Sequence, residues 1–162
     1  MTTSKKRATK PKSSRRSPAA GASLHFLSRS EKETFKKGKE FARTVKPGDV
    51  IGMFGELGSG KSVFTRGVLH GLGIQEKYIA SPTFTLINVY QGKLPVYHFD
   101  VYRLEGPDEL DGLGYEEFFF GDGVAIVEWA DKVENHLPRK YIKVSLKVVS
   151  ENGRLVTITH TR

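Results

Sequence analysis

The segment Gly55-Glu56-Leu57-Gly58-Ser59-Gly60-Lys61-Ser62 constrains this chain more than any other stretch, because it fits G-x-x-x-x-G-K-[ST] at every fixed position. Glycines at the bends let a backbone curl until successive N–H groups point inward at an anion. Such a loop needs a rigid strand before it and a helix after it. Val50-Ile51-Gly52-Met53-Phe54 is a short apolar run bounded by turn residues and reads as a buried strand. Lys61 to Leu72 reads as a helix with Val63, Phe64, Val68, Leu69 and Leu72 inward and Gly73 as its stop. The alternative is a glycine-rich turn with an exposed lysine, and the strand before and helix after argue against it. In the loop reading, the backbone of Gly55, Glu56, Leu57, Gly58, Ser59 and Gly60 cradles nucleotide phosphates. Lys61 neutralises the terminal ones and the Ser62 hydroxyl is placed to ligate magnesium. The expected ligands are ATP, or a close relative, and Mg2+.

A phosphate loop works with a carboxylate opposite it, which holds magnesium or orients water. Glu128 ends the apolar run Val124-Ala125-Ile126-Val127 and is the better candidate for magnesium; Asp100 sits within Val96-Tyr97-His98-Phe99-Asp100-Val101-Tyr102. The competing reading for each is a strand-end carboxylate in a salt bridge, with Arg103 as a partner for Asp100. His98, between aromatic residues, reads as a packed core histidine rather than a ligand. Phe118, Phe119 and Phe120 read as core, with one exposed ring as a possible anchor for a partner. Trp129 lies beside the nucleotide or simply fills space. Ser81-Pro82-Thr83 stands at a strand entry, as a switch loop or an ordinary turn.

The rest of the chain fits an α/β fold with a P-loop NTPase-like mixed sheet, flanking helices and antiparallel hairpin additions. Ser30 and Glu33 predict a capped helix with Phe35, Gly38, Phe41, Ala42 and Val45 on one face, ended by Pro47-Gly48. Thr83 to Tyr90 and Leu94 to Leu104 read as a hairpin. Pro107 to Leu110 and Tyr115 to Phe120 read as short helices or turns, Val124 to Val127 as a central strand and Asp131 to His136 as a helical turn. Tyr141 to Val149 and Leu155 to His160 form a second hairpin around Asn152-Gly153. The net charge of +8 resembles a nucleic-acid signature, but seven Lys and Arg and no acid lie in residues 1–23. The remainder is nearly neutral. The expected domains are therefore a disordered basic tail over 1–23 and a P-loop ATPase domain over 24–162. The tail reads first as solubilising sequence, second as an electrostatic contact to RNA, and last as a transit peptide. With no cysteine in the chain, disulfides, Cys-based zinc sites and thiol nucleophiles are excluded. No apolar run approaches the ~20 residues of a membrane span, and a cytoplasmic setting is expected.

The chain shows no Asn-Lys-x-Asp element of a GTPase, and Asp111-Gly112-Leu113-Gly114 is too short a match to count. The arginines outside the tail are scattered, with no lid of the kind small kinases carry. The ordered set Gly55–Ser62, Phe64-Thr65-Arg66-Gly67, Ser81-Pro82-Thr83-Phe84-Thr85-Leu86, Tyr97-His98-Phe99-Asp100-Val101-Tyr102-Arg103-Leu104 and Val127-Glu128-Trp129 resembles the bacterial TsaE (YjeE) family. The resemblance runs from about Leu24 to the C-terminus. It departs in having Ser62 where the family often has Thr, and in the longer basic tail. It implies a slow cytoplasmic ATPase of tRNA threonylcarbamoyladenosine biosynthesis. In that picture the protein acts with TsaB and TsaD, which perform the transfer to the adenosine beside the anticodon, and it meets tRNA through that complex. It also implies that Gly58 to Ser62 grip phosphates, that Ser62 and Glu128 hold magnesium, that Asp100 and Thr83 join Lys61 in catalysis, and that Trp129 belongs to the nucleotide site. A standalone small kinase and a nucleotide-responsive binding module are the other classes the residues allow.

Overall fold

The structure is a computed structural model describing residues 21–162. Residues 1–20, which hold all seven basic residues of the expected tail, lie outside the described residues. In chain order the elements are β1 (Ser23–Ser28), α1 (Glu31–Phe41), β2 (Val50–Phe54), α2 (Lys61–Gly71), β3 (Ile87–Gln91), β4 (Pro95–Asp100), α3 (Pro107–Gly112), α4 (Glu116–Phe119), β5 (Val124–Glu128), β6 (Ile142–Val148) and β7 (Arg154–His160). Short 3-10 turns follow α1, α2 and β5. The strands make one seven-stranded sheet in the order β1-β7-β6-β2-β5-β4-β3. Within it β6, β2, β5 and β4 are parallel, while β3 pairs antiparallel with β4, β7 with β6, and β1 with β7. The expected α/β class with a mixed sheet and antiparallel hairpins is what the chain forms.

β2 and β5 are buried along their whole length, so both faces of the sheet are covered at its centre. Side chains alternate between the faces with period two. Ile51 and Met53, with Val124 and Ile126, face α1 and α2 and pack with Phe41, Phe64, Val68 and Leu69. Val50, Phe54, Ala125 and Val127 face the opposite layer and pack with Phe99, Leu110 and Phe119.

The start of α1 follows the capping expectation with one change. The Glu33 N–H donates to Ser30 Oγ at 3.1 Å, while the Glu33 carboxylate accepts from the N–H of Arg29, at 2.7 Å, instead of from Ser30. α1 and α2 then meet at small residues. A Cβ on Gly38 would lie 2.3 Å from the Phe64 carbonyl oxygen, and one on Gly67 2.2 Å from that of Phe35. The helices touch backbone to backbone, which fixes where the first turn of α2 sits against the sheet.

Four local expectations change. The strand foreseen from Thr83 begins only at Ile87, because Leu86 takes a left-handed backbone (φ 65°) and its N–H closes a turn onto the Pro82 carbonyl at 2.7 Å. The strand foreseen to Leu104 stops at Asp100, whose carboxylate accepts the N–H of Tyr102 at 3.0 Å and turns the chain. β1 was not foreseen at all, and its first residue falls inside the expected tail; it exists by pairing Ser23 through Ser28 with Thr159 through Arg154. Of the three phenylalanines, Phe119 is buried, Phe118 is half-buried and Phe120 is exposed.

Candidate functional site

Period-two alternation decides which side chains reach the phosphate loop. On β5, Val124 and Ile126 face α2, so Glu128 does too. On β4 the same parity carries Val96, His98 and Asp100, and the parallel register sets Asp100 directly beside Glu128. Both carboxylates therefore stand at the carboxyl ends of neighbouring parallel strands, on the face occupied by α2. Open α/β sheets bind ligands at this end.

β2 delivers the chain to the same end, where the loop turns back into α2. Gly58 and Gly60 take left-handed backbone, with φ of 76° and 97°. Residues bearing a Cβ adopt that conformation at a cost of roughly 1–2 kcal/mol. Gly60 is the N-cap of α2 and provides no side-chain cap, so the first N–H groups of the helix are left to the space in front of the loop. Lys61 is only 5% exposed. Its ammonium donates to the carbonyls of Gly55 at 2.6 Å and Glu56 at 2.8 Å, and lies 3.7 Å from the centre of the Trp129 ring. Burial lowers its pKa from the ordinary lysine value, and the charges of Glu128, Asp131 and Asp100 work against that fall.

The Ser62 hydroxyl donates to Glu128 Oε2 at 2.8 Å. The other Glu128 oxygen is 2.8 Å from His98 Nε2. Asp100 is held separately: Thr83 Oγ1 donates to its Oδ2 at 3.0 Å, and Thr83 and Ser81 share a hydroxyl contact of 2.7 Å. A hydroxyl and a carboxylate side by side are hard oxygen donors, which suits a magnesium ion that takes its remaining ligands from phosphates and water. On that chemistry Ser62 and Glu128 could hold the ion, with Asp100 within its surroundings.

Two open clefts flank the loop. One, of about 390 Å³, is lined by Lys61, Ser62, Thr83, Asp100, Tyr102 and Trp129 among others. The second, of about 140 Å³, lies on the other side, between Ser30 and Thr34 at the start of α1 and Glu151, Asn152 and Arg154 at the β6–β7 turn. Gly58 and Gly60 line both. Arg154 also donates to the Gly58 carbonyl at 3.2 Å, tying the loop to β7.

Of the residues singled out in the sequence, Gly55 to Ser62, Thr83, Asp100, Glu128 and Trp129 gather at one end of the sheet, while Phe118 and Phe119 pack in the opposite layer. Leu57 at the loop tip is 78% exposed and makes no core contact. The competing reading of Asp100 in a salt bridge with Arg103 does not hold among the described residues; the Arg103 guanidinium lies 4.2 Å from the centre of the Phe84 ring. Trp129 has φ 61°, which a bulky residue adopts only under constraint, and its ring leans on Tyr102 at 4.7 Å. His98, read as packing, is buried as expected and is in addition bonded to Glu128; its two-residue spacing from Asp100 was the available signal for that bond. Tyr102 and Arg154 carried no such signal, since turn and hairpin geometry bring them in.

A buried strand feeding a glycine-rich loop onto a helix, with carboxylates at adjacent strand ends, defines an α/β fold of the phosphate-loop kind. Residues 28–156 match the family described as Threonylcarbamoyl adenosine biosynthesis protein TsaE. The tRNA threonylcarbamoyladenosine biosynthesis protein TsaE of Bacillus subtilis is 45% identical over 128 residues, which covers 78% of this chain and 79% of that one. Its namesake in Treponema pallidum is 40% identical over 135 residues, 83% of this chain and 99% of that one. The crystal structure of Bacillus subtilis YdiB superimposes with a TM-score of 0.73 at 36% identity, covering 90% of each chain. The chain belongs to the TsaE family, whose members are named for the biosynthesis of threonylcarbamoyladenosine in tRNA.

Proposed function

We propose that this protein binds ATP with magnesium in the phosphate loop and hydrolyses it slowly, and that the cycle serves the TsaB–TsaD pair in forming threonylcarbamoyladenosine. The observation that carries the reading is the convergence of Lys61, Ser62, Glu128 and the Asp100–Thr83 pair on one mouth of the loop. Their positions give polarity to the site. In this reading the terminal phosphates would lie on the carboxylate side, near Lys61, Ser62 and Glu128, and the cleft bounded by Ser30, Thr34 and Arg154 would remain for the base. Lys61 exchanges its backbone carbonyls for phosphate oxygens. Magnesium, when bound, neutralises charge on the phosphates. Asp100, held by Thr83, faces the side where an attacking water or the ion's water shell would lie. Trp129 lies over the Lys61 ammonium and helps shield it from water.

Phosphoryl transfer to water also needs an aligned nucleophile and a supported transition state. The 390 Å³ cleft is open to solvent, and Phe84, next in the chain to Thr83 of its lining, is 81% exposed, so the domain alone leaves that side of the site wet. Docking against TsaB–TsaD closes it and couples hydrolysis to the partners. The protein itself performs no threonylcarbamoyl transfer. The test measures phosphate release by this protein alone, with TsaB, with TsaD and with both, and in parallel with added nucleosides. Stimulation only by both partners supports the reading. Equal rates in every mixture, or phosphate transferred to a nucleoside, would overturn it.

A further inference from the structure

Glu128 is a carboxylate at 2% exposure at the end of a central strand. An isolated charge there is costly, so its partners decide how it behaves. Among the described residues its side-chain partners are Ser62, on Oε2, and His98, on Oε1, each at 2.8 Å. Ser62 belongs to the mobile business of ligand exchange, since its hydroxyl is the group a cation would draw away. His98 does not. It is 3% exposed and fixed in the middle of β4, with Asn88 of β3 opposite on one side and Ile126 of β5 on the other. Its Nδ1 is buried and has no hydrogen-bond partner among the described residues. The hydrogen therefore belongs on Nε2, assigned here from the network. On Nδ1 it would be an unpartnered buried donor, and Nε2 and Oε1 would meet lone pair to lone pair.

We propose that His98 is a positioning residue for magnesium: its Nε2–H pins Oε1 of Glu128, keeps Oε2 turned to Ser62, and so sets the magnesium affinity of the site. The inference rests on the reading of Ser62 and Glu128 as the magnesium pair. It gives the buried histidine a task distinct from packing, because the carboxylate keeps a fixed donor when the serine is engaged elsewhere. Donors behind a metal ligand typically change metal affinity about 10–100-fold when removed.

The test uses the full chain and titrates ATP calorimetrically at graded magnesium, with a magnesium-free arm in chelator. His98→Met keeps the volume and loses the donor. His98→Gln sets an amide N–H near the place of Nε2. His98→Met is expected to raise the magnesium midpoint about tenfold or more, with magnesium-free ATP affinity unchanged and His98→Gln recovering most of the loss. In a Glu128→Gln background, His98→Met is expected to add nothing further, since both act through one carboxylate. If His98→Met does not fold, His98→Asn, whose amide is too short to reach Glu128, takes its place. A wild-type midpoint in the donor-less variant, an equal shift in His98→Gln, or an undiminished effect in the Glu128→Gln background each overturns the proposal. Wild-type protein that binds ATP without regard to magnesium overturns the magnesium pair itself, which separates the two failures.

Discussion

The two faces of the sheet do different work. The face under α1 and α2 carries the buried polar groups Thr34, Ser59, Lys61, Thr65, His98, Asp100 and Glu128. The opposite face is packed with apolar and aromatic side chains, and Phe99 meets Phe118 and Phe119 edge to face, at 5.7 and 5.2 Å. One period-two pattern serves both, since the strand that points Phe99 and Val101 into the apolar layer points His98 and Asp100 at the phosphate loop. A chain can therefore afford strained and desolvated groups on one face because the other supplies unbroken apolar packing.

That division is tested most strongly by Phe119→Ala. Phe119 is 2% exposed in α4 and meets Tyr115 and Phe99 at 5.1 and 5.2 Å. Its loss is expected to cost about 3–5 kcal/mol of stability in a denaturant titration. ATP affinity of the remaining folded protein should hold; a parallel loss of affinity would show that the faces are not separable. Next in size is Lys61→Ala, from the other side. Removing a charge-assisted phosphate contact is expected to weaken ATP binding by about 2–3 kcal/mol. Circular dichroism should show an intact fold, and unchanged binding together with unchanged hydrolysis would remove the nucleotide site.

How much of this could be read in the sequence follows the same division. The phosphate loop, the cap at Ser30 and the run ending in Glu128 are signalled by contiguous residues, and each stands where it was expected. The apolar layer was legible as strands and short helices. What stayed hidden depends on contacts distant in the chain or on unusual backbone. β1 is short and mostly exposed, and forms because β7 offers an edge. Leu86 sits among good strand formers yet bends left-handed, which cut a foreseen strand short. His98 was legible as packing because spacing reports a face, and only the register of β4 beside β5 shows that Glu128 stands there as well.

Within the polar face the two carboxylates are expected to separate by about tenfold effects. Glu128→Gln should weaken the magnesium dependence of ATP binding, because its Oε2 is the oxygen bonded to Ser62. Asp100→Asn should spare binding and lower phosphate release, since Asp100 is held by Thr83 and is not the carboxylate bonded to Ser62. Binding isotherms and steady-state phosphate release on both variants decide it. Full turnover in Asp100→Asn would cancel its assigned part.

The smallest effect on the site is expected from deleting residues 1–20. The described chain enters at the far edge of the sheet: the Gly21 N–H donates to the His160 carbonyl at 3.0 Å, and β1 is separated from β2 by β7 and β6. The segment's composition, seven bases and no acid in residues 1–23, has too little apolar content to add to either core face. ATP affinity and the melting midpoint should therefore match the full chain within error. What the deletion can change is association with a polyanion, because each lysine or arginine near a phosphate backbone releases a counterion and the affinity then falls with salt. Filter binding of tRNA to the full and shortened chains at two salt concentrations reads this directly. Loss of a salt-sensitive component on deletion places the basic segment with RNA. Identical tRNA retention at low salt leaves it a solubilising leader, and an early melt would mean that it packs against the edge strand.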